Sequence, residues 1–230
     1  AMNAEDYARA MAPVPYGMLV NALFLVVWSV VPRRFPRMPA RRLAGFTTLI
    51  SLTIWAAGAI GIILFFEWRV ISSASPLVVG WFGLILLLGF GLLITAKGIH
   101  QVNVVSHPTA TVLLARGILA GLAIGTAVLL GQSGHVLLAG LASVFPAIFL
   151  TTMLALWWSH GHNLPASATG PMALGASSVA FFALLTASLF PKFGVVTGAG
   201  ISWAMAIVVC TCGSSYWLST RPTLTQSMDP

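Results

Sequence analysis

Arg116, Thr151, Thr152, Ser177 and Ser178 are the side chains whose types could handle a polar solute within otherwise apolar stretches. A guanidinium at membrane depth attracts an anion, and hydroxyls can replace the hydration that a solute sheds. Pro146 adds a backbone element, because it lies within Val144-Phe145-Pro146-Ala147-Ile148-Phe149-Leu150-Thr151-Thr152, in the middle of an apolar run. Proline removes a helix hydrogen bond and clashes with the preceding turn, so a kink is expected near Ala142 or Ser143. Carbonyls freed there need partners or line a cavity, and many carriers hold substrate at broken helices near the midplane. These six residues are the expected lining of any pathway. Arg116 also has a plainer reading, snorkelling to the basic side of the membrane.

Other chemistry finds little footing. There is no Walker loop, no GxGxxG followed by an acid and no pair of carboxylates, so a hydrolase or NTPase is not expected. Lys192 stands before the last apolar run rather than inside it, which removes a retinal Schiff base. His160 and His162 could offer two imidazoles to a metal, but three or four ligands are needed and no intramembrane carboxylate completes a set. His162-Asn163-Leu164-Pro165 resembles the start of the HNxPEG motif of ZIP-type permeases. Ala166-Ser167 replace its glutamate and glycine, and an interfacial loop is the reading kept. No enzyme activity, cofactor or metal is expected.

The elements that must position these residues are seven apolar runs. They cover Tyr16–Val31, Leu43–Phe66, Pro76–Ala96, Thr109–Leu130, His135–Ser159, Thr169–Phe190 and Phe193–Leu218. A helix needs roughly 17–25 apolar residues to cross the hydrocarbon. Hydrophobic residues make up 58% of the chain and charged residues 7%. A soluble surface, which takes about 25% charged residues, cannot be built from that remainder. Barrel strands alternate apolar and polar residues over about ten positions, whereas these runs are continuous and longer. The expected fold is therefore all-α, a polytopic integral membrane bundle of about seven transmembrane helices. It divides into a tail at 1–15, a transmembrane domain at 16–218 and a tail at 219–230. Within the domain, 16–98 forms a three-helix part and 109–218 a four-helix part.

Charge sets the orientation. Arg33, Arg34, Arg37, Arg41 and Arg42 lie between the first two runs, and Lys97, Arg116 and Arg221 fall on the same side of seven spans. Arg9, Arg69 and Lys192 fall on the other. The positive-inside rule then places the N-terminus outside and the C-terminus inside. The net charge of +7 is not a nucleic-acid signal, since it is gathered beside apolar runs. The expected partner is the lipid bilayer, with anionic headgroups at Arg33–Arg42. Which membrane it is, composition does not say. Cys210 and Cys212 are expected as small packing residues rather than a disulfide.

Gly117, Gly121 and Gly125 recur at every fourth position of the fourth run. Such a face lets another backbone approach closely, and close packing drives helix association in lipid. The fourth run is accordingly expected at the centre of the bundle. Pro191-Lys192 is expected as the link between the last two runs.

From Thr111 to Leu218 the order is a glycine-rich helix, a short link, Ala139-Gly140-Leu141-Ala142-Ser143-Val144-Phe145-Pro146-Ala147, a small-residue helix and a final span with Trp203. This resembles the small four-helix membrane proteins of the GlpM type and related proteins of unknown function. The resemblance implies a four-span membrane module and carries no reaction, cofactor or site. Spans one to three and five to seven also run in the same directions, the layout of a parallel repeat as in SWEET proteins. Two functions remain open. One is a small carrier or channel-like transporter of a solute or ion. The other is a non-catalytic subunit or scaffold, as a homo-oligomer or within a larger membrane complex.

Overall fold

The computed structural model describes residues 4–67, 75–96, 110–132, 145–161 and 163–220. Among the described residues every regular element is a helix. In lipid no water pairs with backbone groups, and the helix satisfies them within one segment. The helices are α1 (Ala4–Met11), α2 (Val14–Arg34), α3 (Ala40–Glu67), α4 (Pro76–Ala96), α5 (Ala110–Gln132), α6 (Ala147–His160), α7 (Asn163–Phe193) and α8 (Val195–Ser219). Helix α8 is α-helical over Val195–Ala206, π-helical over Ile207–Cys212 and α-helical again over Gly213–Ser219.

Five stretches are long and apolar enough to cross a membrane: Tyr7–Arg34, Ala40–Phe66, Pro76–Ala96, Pro165–Phe193 and Val195–Ser219. Ala147–Trp158 is a shorter apolar helix. Helix α4 has the bounds expected from its apolar run, and its start has a plain cause. Pro76 occupies the first helical position, where a missing N–H costs nothing, and the Ser75 carbonyl accepts from Val78 N at 3.0 Å.

Two boundaries correct the expectations. Pro146, expected inside a helix, stands at the start of one. Phe145 and Pro146 are not helical, and α6 begins at Ala147, with Leu150 N donating to Pro146 O at 2.8 Å. The residue before a proline is pushed out of the α region, so proline opens a helix more readily than it bends one. Ala142 and Ser143, where the kink was expected, lie outside the described residues. The link expected at Pro191-Lys192 is helical, and the break falls at Gly194. Gly194 has φ 76° and ψ 169°, a region open essentially to glycine alone.

The chain divides into two compact units. The first takes in Ala1–Ala22, Leu64–His100 and Gly170–Pro230, and the second Leu23–Ile63 and Gln101–Thr169. In the first unit α4 is the hub. Its buried residues Gly80, Gly83, Leu84, Leu87, Gly91 and Thr95 form one helical stripe. A Cβ added at Gly80 would stand 2.5 Å from Leu184 Cδ2 and 3.2 Å from Ala12 Cα. At Gly83 it would stand 2.6 Å from the Tyr16 ring, and at Gly91 2.8 Å from Leu174 Cδ2. Tyr16 then donates its hydroxyl to Val79 O at 3.0 Å and meets Phe66 edge-on at 5.4 Å. Small residues on α4 thus let α2 and α7 close onto it.

The second unit packs around aromatic side chains. Trp28 meets Trp157 at 5.9 Å and Trp55 meets Phe145 at 5.2 Å, both edge to face. Such pairs add about 0.5–1.5 kcal/mol beyond their area. Phe24, Leu25 and Met153 are fully buried beside them in the same unit. Thr169 ties α7 to α2 by donating to Leu25 O at 3.1 Å.

Candidate functional site

Several hydroxyls of the first unit are satisfied locally. Ser177 is buried and donates to Leu174 O at 2.6 Å, and Thr186 donates to Ala183 O at 2.8 Å. Thr95 donates to Gly91 O at 2.9 Å and accepts from the Trp217 indole N–H at 3.1 Å, which joins α8 to α4. Cys210 is buried within hydrogen-bonding reach of Ser177, and both cysteines are free thiols. Among the described residues, two polar atoms of this unit have no partner. The Asn21 side-chain oxygen and the Ser202 hydroxyl are buried and make no hydrogen bond. Asn21 is 3% exposed and Ser202 fully buried.

The second unit holds a matching pair. The Trp28 indole N–H and the Thr47 hydroxyl are fully buried and unpartnered. Thr47 and Ser51 sit one turn apart on the buried stripe Thr47, Ser51, Trp55 and Ala59 of α3. Ser51 is satisfied by Thr48 O at 3.0 Å. A buried hydroxyl or amide without a partner costs roughly 1–3 kcal/mol by protein mutational data. Water or a polar ligand would offset that cost.

The expected pathway residues fall in both units. Thr151 and Thr152 lie on the first turns of α6, half-buried, and donate to Ala147 O and Ile148 O of their own helix. Pro146 is buried at the start of that helix. Arg116 lies on α5, and its side chain is outside the described residues. These four belong to the second unit, whereas Ser177 and half-buried Ser178 belong to the first. Ser178 donates to Gly175 O at 2.7 Å. His160 ends α6 with its side chain outside the described residues, as is the whole of His162. No group of three metal-ligating side chains occurs among the described residues.

Gly117, Gly121 and Gly125 are exposed, and an added Cβ at each meets nothing within 4 Å among the described residues. Leu114, Ile118, Leu122 and Leu129 flank them, each more than half exposed. The close approach expected at this face, and with it the central place of α5, is not made by described parts of the chain. The glycine contacts are on α4 instead.

The four unpartnered atoms were missed in the sequence, although it held a signal for two of them. Asn21 is the one carboxamide inside its apolar run, and Ser202 stands on a four-residue spacing with Gly198, Ala206 and Cys210. All four residues of that α8 stripe are buried.

The connection between α2 and α3 is the charged feature. Phe35 N donates to Val31 O and Met38 N to Phe35 O, each at 3.2 Å, and Leu43 N donates to Pro39 O at 2.9 Å. Phe35 packs edge-on against Phe46 at 5.4 Å, which holds the turn against α3. Arg34, Phe35, Pro36, Arg37 and Met38 line an open depression of about 540 Å³. Arg33, Arg34, Arg37, Arg41 and Arg42 are all exposed. The one ion pair among the described residues is Arg9 with Glu5, so these five guanidiniums have no carboxylate there.

Among the described residues every regular element is helical and five helices are long and apolar enough to span, which is the class of helical membrane proteins. No known protein family, curated protein or solved structure matches the chain.

Proposed function

We propose that this chain is a small, non-enzymatic membrane carrier for a polar solute or ion. The observation that carries the reading is the four buried polar atoms, on Asn21, Ser202, Trp28 and Thr47, that have no partner among the described residues. Groups left unsatisfied in an apolar interior are costly, and a protein that admits water or a solute gains from retaining them. Arg116, Pro146, Thr151 and Thr152 of the second unit and Ser177 and Ser178 of the first are also proposed to handle solute, with Arg116 drawing an anion. In this reading α5 and α6 also cross the membrane, giving seven spans with the N-terminus outside and the C-terminus inside. The GlpM-type likeness of Thr111–Leu218 fits such a module.

The test is flux into proteoliposomes, with chloride followed by a trapped dye and urea and glycerol by light scattering. Asn21→Leu, Ser202→Ala and Arg116→Ala are expected to lower flux by about tenfold or more, the scale of a lost charge-assisted contact of about 1.5–3 kcal/mol. Unchanged flux in all three variants would falsify the pathway.

A second reading, a membrane subunit or scaffold, is favoured by the exposed glycine face of α5. It expects the chain to leave the membrane in mild detergent as part of a defined complex. Native mass after extraction separates the two readings.

A further inference from the structure

The connection between α2 and α3 concentrates positive charge beyond what orienting a helix requires. Arg33 and Arg34 close α2, where a helix C-terminus favours cations. Arg41 and Arg42 stand in the first turn of α3, where the helix end is itself positive and cations are disfavoured. That turn holds no acidic residue. Arg37 lies between the two pairs. Five exposed guanidiniums and an uncompensated helix N-terminus therefore meet on one short connection, with no described carboxylate to balance them.

The apolar surroundings identify the kind of counter-charge. Phe35 is 44% exposed between the arginines, and Val30 and Leu49, on the adjoining turns of α2 and α3, are 47% and 65% exposed. A soluble anion would neutralise the charge without using this apolar surface. A phospholipid covers both, its phosphate on the guanidiniums and its acyl chains along α2 and α3. Arginine presents a planar fork that matches phosphate oxygens in pairs. We infer that the α2–α3 connection, with the depression lined by Arg34, Phe35, Pro36, Arg37 and Met38, is a binding site for an anionic phospholipid. The number of arginines fits a headgroup with more than one phosphate better than one with a single phosphate.

The test titrates the full chain in mild detergent with cardiolipin, phosphatidylglycerol or phosphatidylcholine and counts bound lipid by native mass spectrometry. Sodium pyrophosphate forms the soluble arm. Cardiolipin is expected to bind about tenfold or more tighter than phosphatidylglycerol, and phosphatidylcholine to be lost, since each basic residue contributes about fivefold near an anionic surface. R34Q/R37Q is expected to weaken cardiolipin by about twentyfold on the same scale, with R34K/R37K intermediate because charge remains while the fork is lost. R9Q, which removes an arginine already paired with Glu5, is expected to change nothing. Should R34Q/R37Q not purify, R41Q/R42Q gives the same reading from the other side of the turn. Full retention of cardiolipin by the glutamine variants, or an equal loss in R9Q, overturns the site. Displacement of cardiolipin by pyrophosphate at matched phosphate concentration assigns the site to a soluble anion and overturns the lipid.

Discussion

Helices α4 and α5 are both glycine-rich and apolar, and they use their glycines in opposite ways. On α4 the glycines are buried against neighbours, with space at Gly80, Gly83 and Gly91 too small for a methyl group. On α5 the regular Gly117, Gly121, Gly125 series is exposed and meets nothing within 4 Å among the described residues. The more regular motif is thus the one with no described partner, and the less regular one is the hub of its unit. Spacing says that a helix face is small and flat. It does not say what lies opposite.

The sharpest test of this contrast is Gly80→Ala. The new methyl would meet Ala12 Cα at 3.2 Å, and backbone cannot turn aside as a side chain can. A loss of about 2–3 kcal/mol in detergent unfolding is expected, at the upper end for overpacking. Gly194→Ala should cost about 2 kcal/mol for a different reason, since only its backbone angles, and no neighbour within 4 Å, demand glycine. Tyr16→Phe keeps the ring over Gly83 and removes the bond to Val79 O, an expected loss of about 1 kcal/mol. The smallest effect, with the opposite sign, belongs to Gly121→Ala. It should leave stability unchanged or raise it by up to about 1 kcal/mol through helix propensity. If Gly121→Ala destabilised the isolated chain as much as Gly80→Ala, the glycine face of α5 would be a contact within the chain and the contrast would fail. If it spared the isolated chain but broke up an oligomer, the face would belong to a partner.

Much of the fold was legible. Continuous apolar runs with almost no acids marked helices in lipid, and the Pro76–Ala96 bounds followed from a proline start and the end of apolar character. Boundaries governed by one backbone angle were harder to read. Pro191 was expected to break the chain, yet it is helical, and the break fell on Gly194, where φ is positive. Pro146 was expected inside a bent helix and stands at the start of one. A proline restricts the residue before it and lacks an N–H, and both conditions are met as well at a helix start as at a kink.

The candidate site was less legible than the fold. Thr151, Thr152 and Ser178 are hydroxyls in apolar runs, and each donates to its own helix while its oxygen can still accept. Whether a hydroxyl is spent locally depends on its rotamer and neighbours, which sequence does not contain. Asn21, Trp28, Thr47 and Ser202 are distinguished only by being buried without a partner, and that depends on packing from other helices.

By itself the sequence determined the solvent of this protein, its helical class and the gathering of arginines between its first two long helices. These follow from composition and local order, because lipid selects structures that satisfy their own backbone. Tertiary structure alone decided that, among the described residues, Gly80, Gly83 and Gly91 rather than the regular glycines of α5 make the close contacts. It alone decided which polar atoms are left without partners. A glycine face becomes a contact, and a buried hydroxyl an orphan, only through what another segment places against it.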